Sequence, residues 1–188
     1  MTDHRPRFFG YGSLVNRTTH DYPMARQARL QGWRRVWVHV AARPVAYLSV
    51  EPDPQGNILG LVADVPGNDW QALDEREHAY ARHPVTVEAM ATPVAAQVYA
   101  VPATDRLPPS QSNPLILSYI DVVVQGFLRE FGEAGVQHFF ATTHGWGAPI
   151  LNDRAAPRYP RHRLLTGAER EMVDHGLAGV GARLIPAP

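Results

Sequence analysis

Strand-like patterns crowd the first half of this chain and most of its helix-like patterns follow, an order that admits few architectures. Arg7 to Tyr11 is short and aromatic. Trp33 to Val40 partly alternates, with Trp33, Val36 and Val38 among Arg34, Arg35 and His39. Ala46 to Val50, Ile58 to Val65, Val85 to Met90 and Ala95 to Val101 complete the expected strands. Asp53-Pro54-Gln55-Gly56-Asn57 lies between two of them and supplies turn chemistry for a hairpin. A first helix is expected from Asp69 to Ala81, with Asn68 as its cap, Gln71 in the capping-box position and Pro84 blocking continuation. A second runs from Pro114 to near Gly132, matching proline at a helix start and glycine past its end. A third opens at Thr166, with Glu169 completing a capping box, and stops near Gly176 or Gly179. Gln137 to Arg163 is rich in Gly, Pro and Arg; it reads as a short helix through His138-Phe139-Phe140 and then an ordered loop. The expected fold is α+β, a small mixed β-barrel or strongly curved sheet with flanking helices. At 188 residues the chain suits one domain over 1–188, with 138–188 packed on it as a C-terminal extension. Pro102 to Asn113 resembles a linker, but a split there leaves two small fragments.

Composition removes several functional classes. Eighteen basic residues balance eighteen acidic ones, so no overall field favours nucleic acid or an anionic membrane. The absence of cysteine excludes disulfides, thiolate metal sites and thiol nucleophiles. Met1 to Arg7 leads into only Phe8-Phe9, without the apolar core of a secretory signal. No run of about 18 apolar residues suggests a membrane span, so a cytoplasmic protein is expected. Of nine histidines, His138, His144, His162 and His175 cluster late in the chain, but no pair has a recognised ligand spacing, and no metal is expected. Arg154 to Arg163 forms a basic run. It reads either as a contact for an acidic partner or nucleic acid, or as a solvated face whose arginines pair with local acids such as Asp153.

Two features carry chemistry. On a helical wheel, advancing roughly 100° per residue, Trp70, Leu73, Glu77 and Ala81 share a narrow arc, with Tyr80 and Asp74 at its edges. Glu75, Arg76 and His78 point elsewhere. Glu77 thus lies on the apolar stripe, where loss of water disfavours its ionised form and moves its pKa toward the range useful for general acid–base work. The other reading of that position is a structural ion pair with Arg82 or Arg43. The second feature is Phe9-Gly10-Tyr11-Gly12-Ser13-Leu14. Two glycines spaced by one residue at a strand end let backbone N–H groups approach a carboxylate or a developing oxyanion. Such a string is often a plain turn, and it lacks the spacing of a dinucleotide or P-loop fingerprint.

Taken together, the N-terminal Gly-Tyr-Gly-Ser-Leu string and Leu73-Asp74-Glu75-Arg76-Glu77, with Tyr80 following, resemble the γ-glutamylcyclotransferase-like family, most closely its ChaC-like branch. The matching order extends to about Val101. Ser118-Tyr119-Ile120-Asp121 with Gln125-Gly126 is similar to the family's later helix, in which a tyrosine faces the pocket. The resemblance implies that Tyr11, Gly12, Ser13, Leu14 and Tyr119 bind substrate and that Glu77 is the acid–base catalyst. It also implies a small γ-glutamyl substrate, release of 5-oxoproline by intramolecular aminolysis, and no cofactor. A binding or regulatory module on the same fold is the alternative. His78 departs from the glycine that many members carry after the glutamate, and Arg158-Tyr159-Pro160-Arg161-His162 has no counterpart in the minimal family fold. The tail after His138 either closes the pocket in cis or builds a homodimer. Trp33, Trp37 and Trp70 are expected in the core; Trp146, flanked by glycines, is either a lid or a packing residue.

Overall fold

A computed structural model describes residues 5–41 and 43–187. The start of the N-terminal stretch, residues 1–4, and the last residue of the C-terminal extension lie outside the described residues.

Five strands close into a barrel: β1 (Arg7–Gly10), β2 (Arg26–Val40), β3 (Tyr47–Asp64), β4 (Ala81–Ala89) and β5 (Thr92–Ala100). β1 lies antiparallel to β3 and parallel to β5, β5 pairs antiparallel with β4, and β4 with β2. The long antiparallel ladder between β2 and β3 completes the ring, so the barrel is mixed as expected. Closure leaves no open edge among these five strands.

The expected hairpin at Asp53–Asn57 does not form. Ala46–Val50 and Ile58–Val65 belong to one 18-residue strand, β3. Its ladder with β2 slips between the pairs Gln31↔Asn57 and Trp33↔Pro52, which sets Asp53 to Gly56 against Gly32 alone. The turn residues are therefore used in a bulge, not a reversal. Gln55 donates its amide to the Asp53 carboxylate at 3.1 Å. Gly32 takes a positive φ of 79°, and a Cβ on Gly56 would stand 2.3 Å from the Trp33 carbonyl oxygen. Local turn chemistry lost to the uninterrupted partner strand alongside.

Three helices follow: α1 (Gln71–Arg76), α2 (Leu117–Ala141) and α3 (Gly167–Gly179). α1 is far shorter than the expected Asp69–Ala81 helix, because Ala81 onward pairs with β5, starting at Ala81↔Ala100. The capping box proposed at Asn68 and Gln71 is not made. Asn68 instead accepts from the Trp70 indole at 2.8 Å, while Asp69 accepts from the Gln71 amide at 3.0 Å. α2 starts three residues after Pro114 and breaks where expected, at Gly132 (φ 66°, ψ −166°), then resumes through His138-Phe139-Phe140. α3 has the expected capping box between Thr166 and Glu169.

α2 lays Ile120, Val123, Val124 and Phe127 against the barrel residues Leu30, Val50, Ile58 and Val62. Trp37 is buried among them, whereas Trp33 and Trp70 are only half-buried. Beside this core, Leu115–Ile116, Pro149–Asn152 and Arg183–Pro186 form a small parallel sheet that ties the C-terminal extension to the start of α2. Among the described residues no helix is long and apolar enough to cross a membrane.

The docking of α2 depends on Gly126, where a Cβ would stand 2.7 Å from the Asn16 backbone nitrogen. Gly126→Ala gains about 1 kcal/mol of helix propensity, but overpacking against backbone costs about 1–3 kcal/mol. Urea denaturation is expected to show a net loss. Gly179→Ala, with open space around the new methyl, is expected to be neutral or stabilising in the same assay.

Candidate functional site

The site begins where β1 ends. A Cβ on Gly10 would stand 2.6 Å from the Leu14 Cβ, and one on Gly12 would stand 2.5 Å from the Tyr119 hydroxyl. Only glycine lets the chain turn back on itself there and lets Tyr119 reach the backbone. Ser13–Val15 then forms a single 3-10 turn, in which the Val15 and Asn16 amides donate to the Gly12 and Ser13 carbonyls at 2.9 and 3.1 Å. Asn16 fastens this turn to α2, its Nδ2 donating to Val122 O and Gln125 Oε1, both at 3.0 Å.

Behind the turn lies Arg35, fully buried. Its Nε donates to the Tyr11 carbonyl at 2.9 Å, one terminal nitrogen to Thr142 Oγ1 at 2.8 Å, and the other to the Leu59 carbonyl. Its guanidinium carbon lies 4.9 Å from the Phe127 ring centre and 5.4 Å from that of Phe139. Burial pulls its pKa down to about 9, so it stays cationic at neutral pH. Arg35 is missed by motif reading: it sits in an alternating strand where arginine reads as a solvent residue.

Glu77 sits at the C-terminal end of α1, not within a longer helix. Its amide donates to Leu73 O at 2.9 Å and its carbonyl accepts from the Tyr80 amide at 2.8 Å. The arc from Leu73 to Glu77 survives in this single turn, with Leu73 fully buried and the Glu77 side chain 17% exposed. The carboxyl lines one cavity with Tyr11, Gly12, Ser13, Leu14 and Tyr119, the residues singled out in the sequence. Tyr80, Tyr99, Leu48 and Phe9 complete most of the wall.

Neither Arg82 nor Arg43 pairs with Glu77. Arg82 binds Asp74 at 3.2 Å and stacks on Trp70, and the Arg43 carbonyl accepts from His39 and Asn113. The partner is the adjacent Arg76, whose Nε lies 3.3 Å from Glu77 Oε1. Arg76 also donates to Thr19 O at 3.0 Å and Ser13 Oγ at 3.2 Å, joining α1 to the Ser13–Val15 turn. A wheel for a longer helix turned it away from the site.

Burial pushes the Glu77 carboxyl above its ordinary value, opposed by the charges of Arg76, Arg161 and His78. The tyrosines around it are raised as well, foremost by burial and additionally by the Glu77 charge. They stay neutral at physiological pH and can donate. Tyr11 donates to Tyr99 O at 2.6 Å and Tyr80 to Leu48 O at 2.9 Å. The Tyr119 hydroxyl lies over Gly12, beside the Ser13 amide.

The C-terminal extension also reaches this site. Tyr159 packs edge-on against Tyr119, with ring centres 5.0 Å apart. Trp146 is buried, 5.5 Å from the Trp37 ring and donating to Phe140 O at 3.2 Å, which is a packing role and not that of a lid. His138 lies beside the Leu59 amide at 3.3 Å, its pKa lowered to about 4 by burial and then by Arg35 and Arg29. In the basic run, Arg154 forms a two-pronged pair with Asp121 at 2.7 and 2.9 Å and reaches Asp174 at 2.7 Å.

A sequence profile of the family described as "Gamma-glutamyl cyclotransferase, AIG2-like" matches residues 8–118. No curated protein matches the chain in sequence. Several solved structures share the fold. One named gamma-glutamyl cyclotransferase superposes with a TM-score of 0.57 at 16% identity, covering 90% of this chain and 98% of that one. The human protein loc79017 gives 0.57 at 16% identity over 89% and 97% of the two chains. YkqA from Bacillus subtilis gives 0.58 at 17% identity, over 76% of this chain and 57% of its own. At such identities the likeness is one of fold alone.

Arg35→Met removes donors from two backbone carbonyls while keeping much of the packing volume, and a loss of about 2–4 kcal/mol is expected in urea denaturation. Arg35→Lys is expected to recover little, because one ammonium cannot span three acceptors held in a guanidinium fork.

Proposed function

The chain belongs to the Gamma-glutamyl cyclotransferase, AIG2-like family, and we propose that it releases 5-oxoproline from a γ-glutamyl peptide or amine, with Glu77 as general base and then general acid. The observation that carries this reading is the carboxyl of raised pKa, facing the same cavity as the Tyr11–Leu14 turn and Tyr119.

In this reaction the substrate supplies its own nucleophile. The free α-amine attacks the γ-carbonyl carbon, a C–N bond forms, and the carbonyl electron pair moves onto oxygen. The Glu77 carboxylate takes the proton that the amine sheds. The tetrahedral intermediate then collapses, the bond to the amine half breaks, and Glu77 returns the proton to the leaving nitrogen. Five-membered lactam and free amine are the products, and no water is consumed. Because nucleophile and electrophile are tethered, folding the substrate into attacking geometry supplies much of the acceleration.

The surroundings suit these steps. Val15 and Asn16 amides are spent on the 3-10 turn itself and the Ser13 amide meets the Tyr119 hydroxyl, so a substrate carboxylate or the oxyanion is met by that amide–hydroxyl pair. Tyr119, neutral and set over Gly12, adds a hydroxyl donor on the same side. Arg76 limits how far burial raises the Glu77 pKa, keeping the carboxylate available as a base.

Glutathione, γ-glutamyl dipeptides and γ-glutamyl amines, tested side by side in the presence of a chelator, are expected to include at least one that yields 5-oxoproline. Glu77→Gln is expected to lower kcat by about 10²–10⁴ while preserving the fold; full activity in that variant sinks the assignment. If nothing turns over yet a small carboxylate raises Tm, a non-catalytic binding module is the better reading.

The pH profile provides a separate check. The base must be ionised in the free enzyme, so kcat/KM falls as pH drops through the Glu77 pKa. The acid limb is expected above the ordinary glutamate value of 4.5. Arg76→Met, which removes the nearest opposing charge, is expected to move that limb further up.

A further inference from the structure

The C-terminal extension lays a strap across the site. Asp153 holds one end, accepting from the Ser118 amide at 2.8 Å, the Ser118 hydroxyl at 2.5 Å and the Arg158 amide at 2.8 Å. Tyr159 follows, donating its amide to Ser118 Oγ at 3.1 Å and setting its ring against Tyr119. Arg163 holds the other end, its Nε donating to Thr18 Oγ1 at 3.0 Å and a terminal nitrogen to the Thr18 carbonyl.

Between these anchors Arg161 lies half-buried in a cleft with His20, Asp21, Tyr22 and Arg76. Among the described residues, its backbone carbonyl accepts from Arg163, but its guanidinium donates to no acceptor. Arg76 forms the wall between this cleft and Glu77. His20 adds no charge: its Nε2 is spent on Leu14 O at 2.9 Å, its Nδ1 accepts from the Tyr22 amide at 3.2 Å, and burial lowers its pKa. Asp21 is exposed to solvent. A cleft next to the proton-transferring carboxyl thus carries a cation that acts on Glu77 through its charge but, among the described residues, has no hydrogen-bonded acceptor of its own, held in place by an anchor on either side of it.

On the cyclotransferase reading, the glutamyl half occupies the cavity with Glu77 and the amine half projects from it, and Arg161 lies near enough for its charge to act on the Glu77 carboxyl. We propose that Arg161 reads a carboxylate on that amine half, so that the site favours γ-glutamyl derivatives of amino acids or peptides with a free carboxylate over those of uncharged amines. A guanidinium matches a carboxylate with two parallel N–H···O bonds, and partial burial spares such a pair much of the screening of an open surface. The family match ends at residue 118, so the residue that selects the leaving group comes from outside the matched segment.

The test compares γ-glutamyl-alanine with γ-glutamyl-ethylamine, which differ only by that carboxylate. In the wild-type protein kcat/KM is expected to favour the alanine derivative. In Arg161→Ala the ratio of the two kcat/KM values is expected to shrink about tenfold to a hundredfold, chiefly through KM, and Arg161→Lys is expected to restore part of it. Added salt is expected to shrink the ratio in the wild type more than in Arg161→Ala. An unchanged ratio in Arg161→Ala, or an equal fall on both substrates, overturns the proposal. Calorimetric binding of both compounds to Glu77→Gln separates this from the reaction itself. If the wild type turns over neither of these compounds nor glutathione, but Glu77→Gln binds the alanine derivative more tightly and loses that preference on adding Arg161→Ala, the Arg161 assignment stands and the cyclotransferase reading falls. Equal or absent binding of the two compounds to Glu77→Gln overturns the Arg161 assignment.

Discussion

A guanidinium with no carboxylate partner among the described residues is the fastening on which the rest is hung. Arg35 binds the carbonyl of Tyr11 at the end of β1, the carbonyl of Leu59 in β3 and the hydroxyl of Thr142 at the end of α2. Three pieces of chain, far apart in sequence, therefore meet at one side chain. Burying a charge costs heavily unless every donor is satisfied, and here backbone dipoles and two aromatic faces supply the compensation. The consequence is geometric: the Tyr11 carbonyl is held, so the turn that follows has little freedom to wander.

Glu77 is then placed against that turn by a different device. α1 ends because β4 must begin, and the handover leaves Glu77 at the helix terminus with its carboxyl facing the cavity. Arg76 does two jobs from the neighbouring position, moderating the Glu77 charge and binding Ser13 and Thr19 on the opposite wall. Glu77 and the Tyr11–Leu14 turn are thus linked through one arginine in front and fixed by another behind.

Much of this was legible in the residues. Gly10 and Gly12 pointed to close backbone approach, and both glycines turn out to sit where a Cβ cannot fit. Glu77 was singled out for lying on an apolar arc with Leu73, and that relation holds although the helix is half the expected length. What failed was whatever depended on a partner strand. The Asp53–Asn57 turn residues looked like a reversal because their neighbour β2 is invisible to local pattern, and the β4 pairing that shortens α1 is equally remote. The two most informative arginines, Arg35 and Arg76, were hidden for a related reason. Arginine on an alternating strand or beside an acid on a helix reads as surface, and only the assembled fold shows the carbonyls around it.

The small parallel sheet has a bearing on how the protein comes to be folded. Residues 183–186 pair with 149–152, and those in turn with 115–116, and the strap leaves from the end of the middle strand. Barrel strands and the Glu77 turn are all complete within the first hundred residues, and most of their contacts can form while the remainder is still being made. The cover is secured only when nearly the whole chain has emerged, because Arg183–Pro186, which pairs with the strand the strap leaves from, is among the last residues made. On a ribosome the cavity that holds Glu77 would precede the segment that carries Arg161.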